Sequence, residues 1–209
     1  YRDQEASAEV FDNVANLIVE ETQPAPEPSA EDAETQPAEP TEPAAEMTAY
    51  EKYAAVYAQN NDFVGWLCIE GTNINYPVMQ TPDARDYYLY RNFSREYSKH
   101  GCIYVREQCN VFRPSDNLTI YGHNMKNGTM FSDLKKYLDT DFRKAHKTIE
   151  FQTEDGVFLF EVTDVIKTNT SDERYNQINS TDGRTLALST CYGNAKSDRL
   201  LIIAKEVTT

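Results

Sequence analysis

The residue in this sequence best suited to chemistry is a cysteine at the end of an apolar, strand-like segment. Cys191 closes the run from Leu186 to Thr190, in which apolar and small residues alternate as in a buried strand. A thiol attacks carbonyl carbon through its thiolate, and a neighbouring imidazole or guanidinium favours that form. The position of Cys191 therefore indicates covalent catalysis, provided that such groups lie beside it.

Two such groups come from segments of similar form. Arg199 lies eight positions after Cys191, across a short polar loop, and opens the apolar run from Leu200 to Ile203. This spacing suits a hairpin that sets the two strand ends side by side. His123 follows another short apolar segment, Thr119 to Tyr121. We predict that three strands bring Cys191, His123 and Arg199 together.

The segments that must position these residues contain more strand signals than helix signals. After residue 46, helical spacing is restricted to 47–60, 129–137 and 141–146, with a short turn of helix at 87–90 and another at 171–178. Strands are predicted at 64–70, 74–79, 101–106, 117–121, 148–152, 157–167, 186–191 and 200–203. The strands at 148–152 and 157–167 are predicted to form a hairpin that turns at the acidic-Gly sequence of residues 154–156. We expect a mainly β fold with peripheral helices, built as a closed eight-stranded β-barrel.

Composition divides the chain into three parts. Residues 1–20 show helical spacing, and residues 21–46 contain six of the nine prolines and no large apolar side chain. We predict an N-terminal helix at 1–20, a Pro/Ala/Glu-rich flexible linker at 21–46, and a catalytic domain at 47–209.

The negative charge of the chain belongs mainly to its first part. Residues 1–49 contain 13 acidic residues and one basic residue, whereas residues 50–209 contain 21 acidic and 19 basic residues. The domain is thus nearly neutral and lacks the basic excess of a general nucleic-acid binder.

The four cysteines leave two readings open. A disulfide between Cys102 and Cys109 is one, and burial of Cys68 and Cys102 as small apolar residues is the other. Cys191 must stay reduced to act.

Three motifs give the sequence a family resemblance. Leu188-Ser189-Thr190-Cys191, Tyr121-Gly122-His123-Asn124-Met125 and Asp198-Arg199-Leu200 resemble the cysteine, histidine and arginine motifs of the sortases. The segment from Tyr121 to Phe131 is similar to that of class B, and the resemblance covers roughly residues 50–206. It implies a sortase-type barrel.

The resemblance implies a cysteine transpeptidase. Cys191 would attack a sorting signal after its threonine, His123 would exchange protons with the departing and incoming amines, and Arg199 would hold the oxyanion. The acceptor would be an amine of the peptidoglycan peptide, or a pilin lysine if the enzyme polymerises pili. A non-catalytic surface-binding module on the same barrel is the alternative from another class. Thiol reactivity separates it from the enzymes.

Further site residues follow from the same comparison. The Tyr192 backbone N–H is a candidate second oxyanion donor, and substrate contacts are possible for Ser189, Thr190 and Asn124. No metal or other cofactor is required, and His100 and His146 are expected at the surface. Class B members usually carry a long helix before the cysteine strand, whereas here only residues 168–184 separate the two strands.

The resemblance also implies a location. We expect the outer face of a Gram-positive cell membrane, with a single N-terminal anchor helix absent from this chain. No apolar run of membrane-spanning length occurs in the sequence.

Overall fold

The computed structural model describes residues 2–18, 48–111, 117–173 and 183–207. Within these ranges eight strands form a closed barrel in the order β1-β2-β3-β4-β7-β8-β6-β5, and this confirms the predicted fold. The strand bounds are β1 Phe63–Cys68, β2 Asn75–Met79, β3 Ile103–Val105, β4 Asn117–Tyr121, β5 Thr148–Thr153, β6 Gly156–Asn169, β7 Thr185–Cys191 and β8 Asp198–Glu206.

The strand pairings are mixed in direction. Strand β2 pairs parallel with β3, and β4 pairs parallel with β7. The other neighbours are antiparallel, and β5 closes the barrel by pairing with β1. The β5–β6 hairpin turns between Thr153 and Gly156, where the sequence predicted it.

Short helices lie outside the barrel. They are α1 Arg2–Ala15, α2 Ala49–Gln59 and α3 Thr140–Ala145, with 3₁₀ helices at Tyr87–Tyr90 and Phe131–Leu138. Thr48 caps α2 through a reciprocal arrangement with Glu51, in which each side chain accepts from the other residue's backbone N–H. The helix predicted at 129–137 is present in the structure as the 3₁₀ helix Phe131–Leu138.

The first helix packs on the barrel. Phe11 and Val14 of α1 are buried, and the Phe11 ring lies 5.3 Å from the ring of Tyr76 on β2. The barrel interior is filled by fully buried aliphatic and aromatic side chains, among them Leu67, Ile103, Leu118, Phe151 and Phe160. This close packing fixes the strand ends that carry the candidate site.

Some predictions fall outside the described residues. The linker predicted at 21–46 lies there entirely, and so does most of the helical turn predicted at 171–178. Among the residues that are described, no helix has the length and apolar character needed to cross a membrane. All four cysteines are free thiols, and Cys102 and Cys109 are buried. Burial of Cys102 matches the second reading, whereas Cys68 is only half-buried and in that respect the reading is wrong.

Candidate active site

The β7–β8 hairpin sets the candidate nucleophile beside the candidate oxyanion donor. Cys191, the last residue of β7, is the direct cross-strand partner of Arg199 near the start of β8. Directly opposed residues on antiparallel strands have their side chains within contact range. The thiol is half-buried. The hairpin predicted from the eight-residue spacing is confirmed.

The parallel pairing of β4 with β7 brings the histidine segment to the same edge. Tyr121, the last residue of β4, is in register with Ser189, two residues before Cys191. The register continues beyond the strand, since the Gly122 N–H donates to the Ser189 carbonyl at 3.1 Å. His123, two residues after the end of β4, therefore lies at the same edge of the sheet as Cys191 at the end of β7.

Tyr121 contacts all three predicted catalytic residues. Its hydroxyl oxygen lies 3.2 Å from the Cys191 sulfur. Its ring centroid lies 5.9 Å from the His123 ring, and the Arg199 guanidinium lies 5.7 Å from that centroid. The phenol is thus an additional member of the site, which the spacing of the motifs did not identify.

The 3₁₀ helix at Tyr87–Tyr90 orients the histidine. The Nε2 atom of His123 lies 2.7 Å from the Leu89 carbonyl oxygen, and the Tyr90 ring lies 5.4 Å from the imidazole. Because a carbonyl oxygen only accepts, Nε2 carries the proton in this contact and Nδ1 is left to exchange protons.

The surroundings of His123 favour its neutral form. Burial lowers the pKa of His123 below its usual value. The hydrogen bond to the Leu89 carbonyl opposes this effect, and the nearby His100 adds a smaller lowering. An imidazolium formed here is therefore a stronger acid than an exposed one.

The arginine is held by backbone carbonyls. Its Nη1 donates to the carbonyl oxygens of Lys196 and Asp198, at 2.8 Å and 2.9 Å. The Asp198 carboxylate accepts instead from the Ala195 N–H at 2.8 Å. These two carbonyls help to orient the guanidinium of Arg199.

The other predicted site residues are occupied in structural contacts. The Asn124 amide donates to the Cys191 carbonyl at 2.9 Å, and the Thr190 hydroxyl donates to the Gly122 carbonyl at 2.7 Å. The Tyr192 N–H donates to the Asp198 carbonyl at 3.2 Å. The Ser189 hydroxyl is fully buried, with no hydrogen-bond partner among the described residues. Their roles toward substrate stay predictions.

One histidine prediction is wrong. His100 is buried rather than at the surface, and its Nε2 lies 3.1 Å from the Asn127 amide nitrogen. Polar neighbours in sequence concealed this, because the contact comes from Asn127, 27 positions along the chain. His146 is half-buried against the ring of Phe142 at 4.3 Å. Within the described part of the chain, no cluster of His, Cys, Asp and Glu could hold a metal ion.

Comparison with known proteins gives the same family in sequence and in structure. Residues 67–207 match the family model described as the sortase domain. The chain is 47% identical over 103 residues to Sortase B of Listeria monocytogenes, a match that covers 49% of this chain and 41% of that protein. It is 37% identical over 113 residues to Sortase B of Staphylococcus aureus, covering 54% and 46% of the two chains. The chain thus matches less than half the length of these curated relatives.

The fold comparison reaches further along the chain. The crystal structure of Clostridium perfringens sortase B superposes with a TM-score of 0.68 at 29% identity. The superposition covers 74% of this chain and 99% of that one. Strands β2 to β8, the end of β1 and the strand ends that carry the candidate site lie within the residues matched by the family model.

Proposed function

Because the chain belongs to the sortase family and is similar to its class B members, we propose that it is a cysteine transpeptidase. The observation that carries the proposal is the meeting of Cys191, His123 and Arg199 around one phenol, Tyr121. Each of the three supplies a group that acyl transfer requires: a nucleophile, a proton donor and acceptor, and a charged hydrogen-bond donor.

The first step forms a thioester. The Cys191 thiol gives its proton to His123, and the sulfur attacks the carbonyl carbon of a threonine in a donor sorting signal to form the carbon–sulfur bond. The peptide carbon–nitrogen bond then breaks, and the departing amine takes a proton from His123. Arg199 hydrogen-bonds the oxygen that becomes negative in between, a contribution of about 3 kcal/mol for one such donor.

The second step reverses these roles. An acceptor amine attacks the thioester carbonyl, the new carbon–nitrogen bond forms and the carbon–sulfur bond breaks. The proton lost by the amine passes to His123 and then to the Cys191 sulfur, which restores the thiol. We propose an amine of the cell-wall peptide as acceptor and sorting-signal proteins as donors, at the outer face of a Gram-positive membrane.

Peptide cleavage tests the proposal. Quenched peptides of the x-Pro-x-Thr-Gly and Asn-Pro-x-Thr-Asn types are incubated with the protein, with Cys191→Ala and with Cys68→Ala. Cys68 is another half-buried thiol, so it serves as the matched control. We expect cleavage and an acyl-enzyme on Cys191 by mass spectrometry, abolished in Cys191→Ala and retained in Cys68→Ala.

The acceptor is tested in the same assay. Adding amine acceptors should convert the hydrolysis product into the transpeptidation product, and a cell-wall peptide amine should compete better than a lysine side chain of a pilin-derived peptide. The absence of both cleavage and adduct across the panel would overturn the transpeptidase proposal and favour a binding module.

A further inference from the structure

Past the end of β4, the parallel pairing with β7 continues through one backbone bond and one side chain. The Gly122 N–H donates to the Ser189 carbonyl at 3.1 Å. Two residues further along each segment, the Asn124 side-chain amide donates to the Cys191 carbonyl at 2.9 Å. Because the bonds of a parallel ladder are evenly spaced, this amide occupies the place of the next backbone donor. The side chain of Asn124 thus extends the pairing to the candidate nucleophile.

The backbone carbonyl of Cys191 faces the side of β4. The next residue, Tyr192, donates its N–H to the Asp198 carbonyl at 3.2 Å, on the side of β8. Since the backbone groups of successive residues point to opposite sides of a strand, the carbonyl of Cys191 points the other way. Strand β4 has already ended at Tyr121 on that side. Asn124 therefore supplies a donor that β4 no longer provides.

The peptide group that follows the nucleophile is held at both ends. Its carbonyl, from Cys191, accepts from the Asn124 amide. Its N–H, from Tyr192, donates to the Asp198 carbonyl. Because a peptide group is planar, hydrogen bonds on its two opposite edges fix its orientation. This restricts the backbone from which the thiol projects.

Asn124 is itself fixed by the loop that carries the histidine, residues 122–131, which we call the histidine loop. The backbone of Asn124 pairs with that of Met130 in an antiparallel bridge, and the Phe131 N–H donates to the His123 carbonyl at 2.9 Å. Met130 is buried and has a φ of 57°, a conformation that is rare for a large side chain. Such a backbone persists only where its surroundings hold it. The loop is therefore closed on itself beside His123.

A single residue connects the two halves of the candidate site. Asn124 follows His123 directly in the chain, and its side chain contacts the backbone of Cys191. The sequence predicted a substrate contact for this side chain, whereas the structure directs an amide hydrogen at the protein itself. The position of the thiol relative to the imidazole thus depends on this contact.

We propose that Asn124 is a positioning residue, which holds the backbone of Cys191 in register with His123 during acyl transfer. The inference rests on the proposed function and adds a residue to it. A displacement of about 1 Å between reacting groups costs about 100-fold in rate. The loss of one positioning hydrogen bond should therefore be measurable in the rate of the chemical step.

Steady-state cleavage of the quenched peptides distinguishes positioning from substrate binding. Asn124→Ala removes the amide, and Asn124→Asp keeps its shape but only accepts hydrogen bonds when ionised. We expect both variants to lower kcat about tenfold and to keep KM within about twofold of the unmodified protein. A raised KM with an unchanged kcat would place Asn124 against the substrate and overturn the inference.

Asn127→Ala is the matched control, because it removes the same side chain from the same loop. Asn127 accepts from the N–H and the hydroxyl of Thr129, at 3.2 Å and 2.7 Å, and its amide nitrogen lies 3.1 Å from the His100 ring. These contacts do not involve Cys191, so kcat should stay close to that of the unmodified protein. An equal loss of kcat in Asn127→Ala and Asn124→Ala would show a general need for a rigid loop and overturn the specific role.

Carbonyl NMR tests the contact without turnover. The chain contains four cysteines, so labelling the cysteine carbonyl with ¹³C gives one signal for each of them. The signal of Cys191 is the one missing in Cys191→Ala. We expect it to move in Asn124→Ala, because the carbonyl loses its donor, and to stay in place in Asn127→Ala. A signal that does not move in Asn124→Ala would overturn the inference.

Alkylation by iodoacetamide separates failure of the positioning role from failure of the proposed function, since it needs no peptide. We expect the alkylation rate of Cys191 to fall about fivefold in Asn124→Ala, as for the loss of one hydrogen bond, and to be unchanged in Asn127→Ala. This result together with the moved NMR signal would support the positioning role even if no peptide were cleaved. Peptide cleavage at equal rates in all of these variants would leave the transpeptidase standing and remove the role of Asn124.

Discussion

Tyr121 is the residue whose position most changes the picture of the site. Its hydroxyl lies against the sulfur of Cys191, and its ring lies beside the His123 imidazole and the Arg199 guanidinium. A phenol that donates to sulfur stabilises the thiolate and fixes its direction. We therefore place Tyr121 in the candidate active site.

Removing that hydroxyl should slow the reaction without unfolding the protein. We expect Tyr121→Phe to lower kcat/KM for peptide cleavage and the rate of iodoacetamide alkylation of Cys191 about fivefold, as for the loss of one hydrogen bond worth about 1 kcal/mol. Tyr137→Phe is the control, because its hydroxyl donates to the His146 carbonyl at 2.9 Å, away from Cys191. Equal alkylation rates in Tyr121→Phe and the unmodified protein would contradict the assignment.

The buried histidine makes stability depend on pH. Burial lowers the pKa of His123 in the folded state, so the unfolded chain binds a proton more readily as pH falls through its ordinary value of 6.5. The stabilisation is present above that pH and is lost as pH falls through the lower pKa of the folded state. Urea denaturation from pH 8 to pH 5 should show a smaller loss of unfolding free energy in His123→Gln than in the unmodified protein. Parallel losses in the two proteins would count against a lowered pKa.

For individual residues, the sequence predicted which side chains belong to the site better than it predicted the contacts between them. The three motifs predicted which side chains would be brought together, and the structure places them at adjoining strand ends. Tyr121 was missed because a tyrosine at a strand end is usually a packing residue. The available signal was its position two residues before His123, the spacing at which side chains point to the same face of extended backbone.

Among the elements, the turn from β4 into the histidine loop is the most constrained. A Cβ atom at Gly122 would lie 2.7 Å from the Ile103 side chain and 2.7 Å from the Phe131 ring. Only a residue without a side chain allows β4 to leave the barrel at this point and present His123.

Adding a methyl group there should disturb the site. We expect Gly122→Ala to reduce the free energy of unfolding by about 1 to 3 kcal/mol through overpacking, and to lower the peptide cleavage rate because His123 is displaced. Gly128→Ala is the control. An alanine there is strained by the backbone φ of 85°, but no atom lies within 4 Å of the added Cβ. It should lose stability and keep its rate. Full activity in Gly122→Ala would show that the loop tolerates the shift.

Local elements were predicted better than their pairings. The β5–β6 turn follows from residues 154–156 and the β7–β8 hairpin from the short loop after Cys191, because both involve neighbours in sequence. The parallel pairing of β4 with β7 joins distant segments, and no local pattern specifies it. The 3₁₀ form of the helix at Phe131–Leu138 was likewise beyond reach, since its apolar spacing fits an α-helix equally well.

For the whole molecule, the predicted division into tail and domain can be tested by truncation. Helix α1 contributes Phe11 and Val14 to the buried core, whereas the sortase-domain match begins at residue 67. We expect a chain of residues 48–209 to fold and to cleave peptides at a similar rate. Its unfolding free energy should be lower by about 3 kcal/mol because two apolar side chains no longer pack.

A variant of the full chain provides the control for that truncation. Phe11→Ala with Val14→Ala should lose a similar amount of stability while keeping the acidic tail. A truncated chain that is as stable as the full one would show that α1 adds nothing to the barrel. A truncated chain without activity would place residues 1–47 in the working enzyme.

The parallel pairing of β4 with β7 also determines at which stage of folding the candidate site forms. Tyr121 and Cys191 are 70 residues apart in sequence, so their contact must wait for a large loop to close. Such non-local contacts form late in folding, after hairpins such as β5–β6. In a refolding experiment, we expect the characteristic reactivity of Cys191 to appear after most of the backbone signal has recovered. The nascent chain would thus carry an ordinary thiol until the barrel closes, and Cys191 would become able to take its proposed role only late in folding.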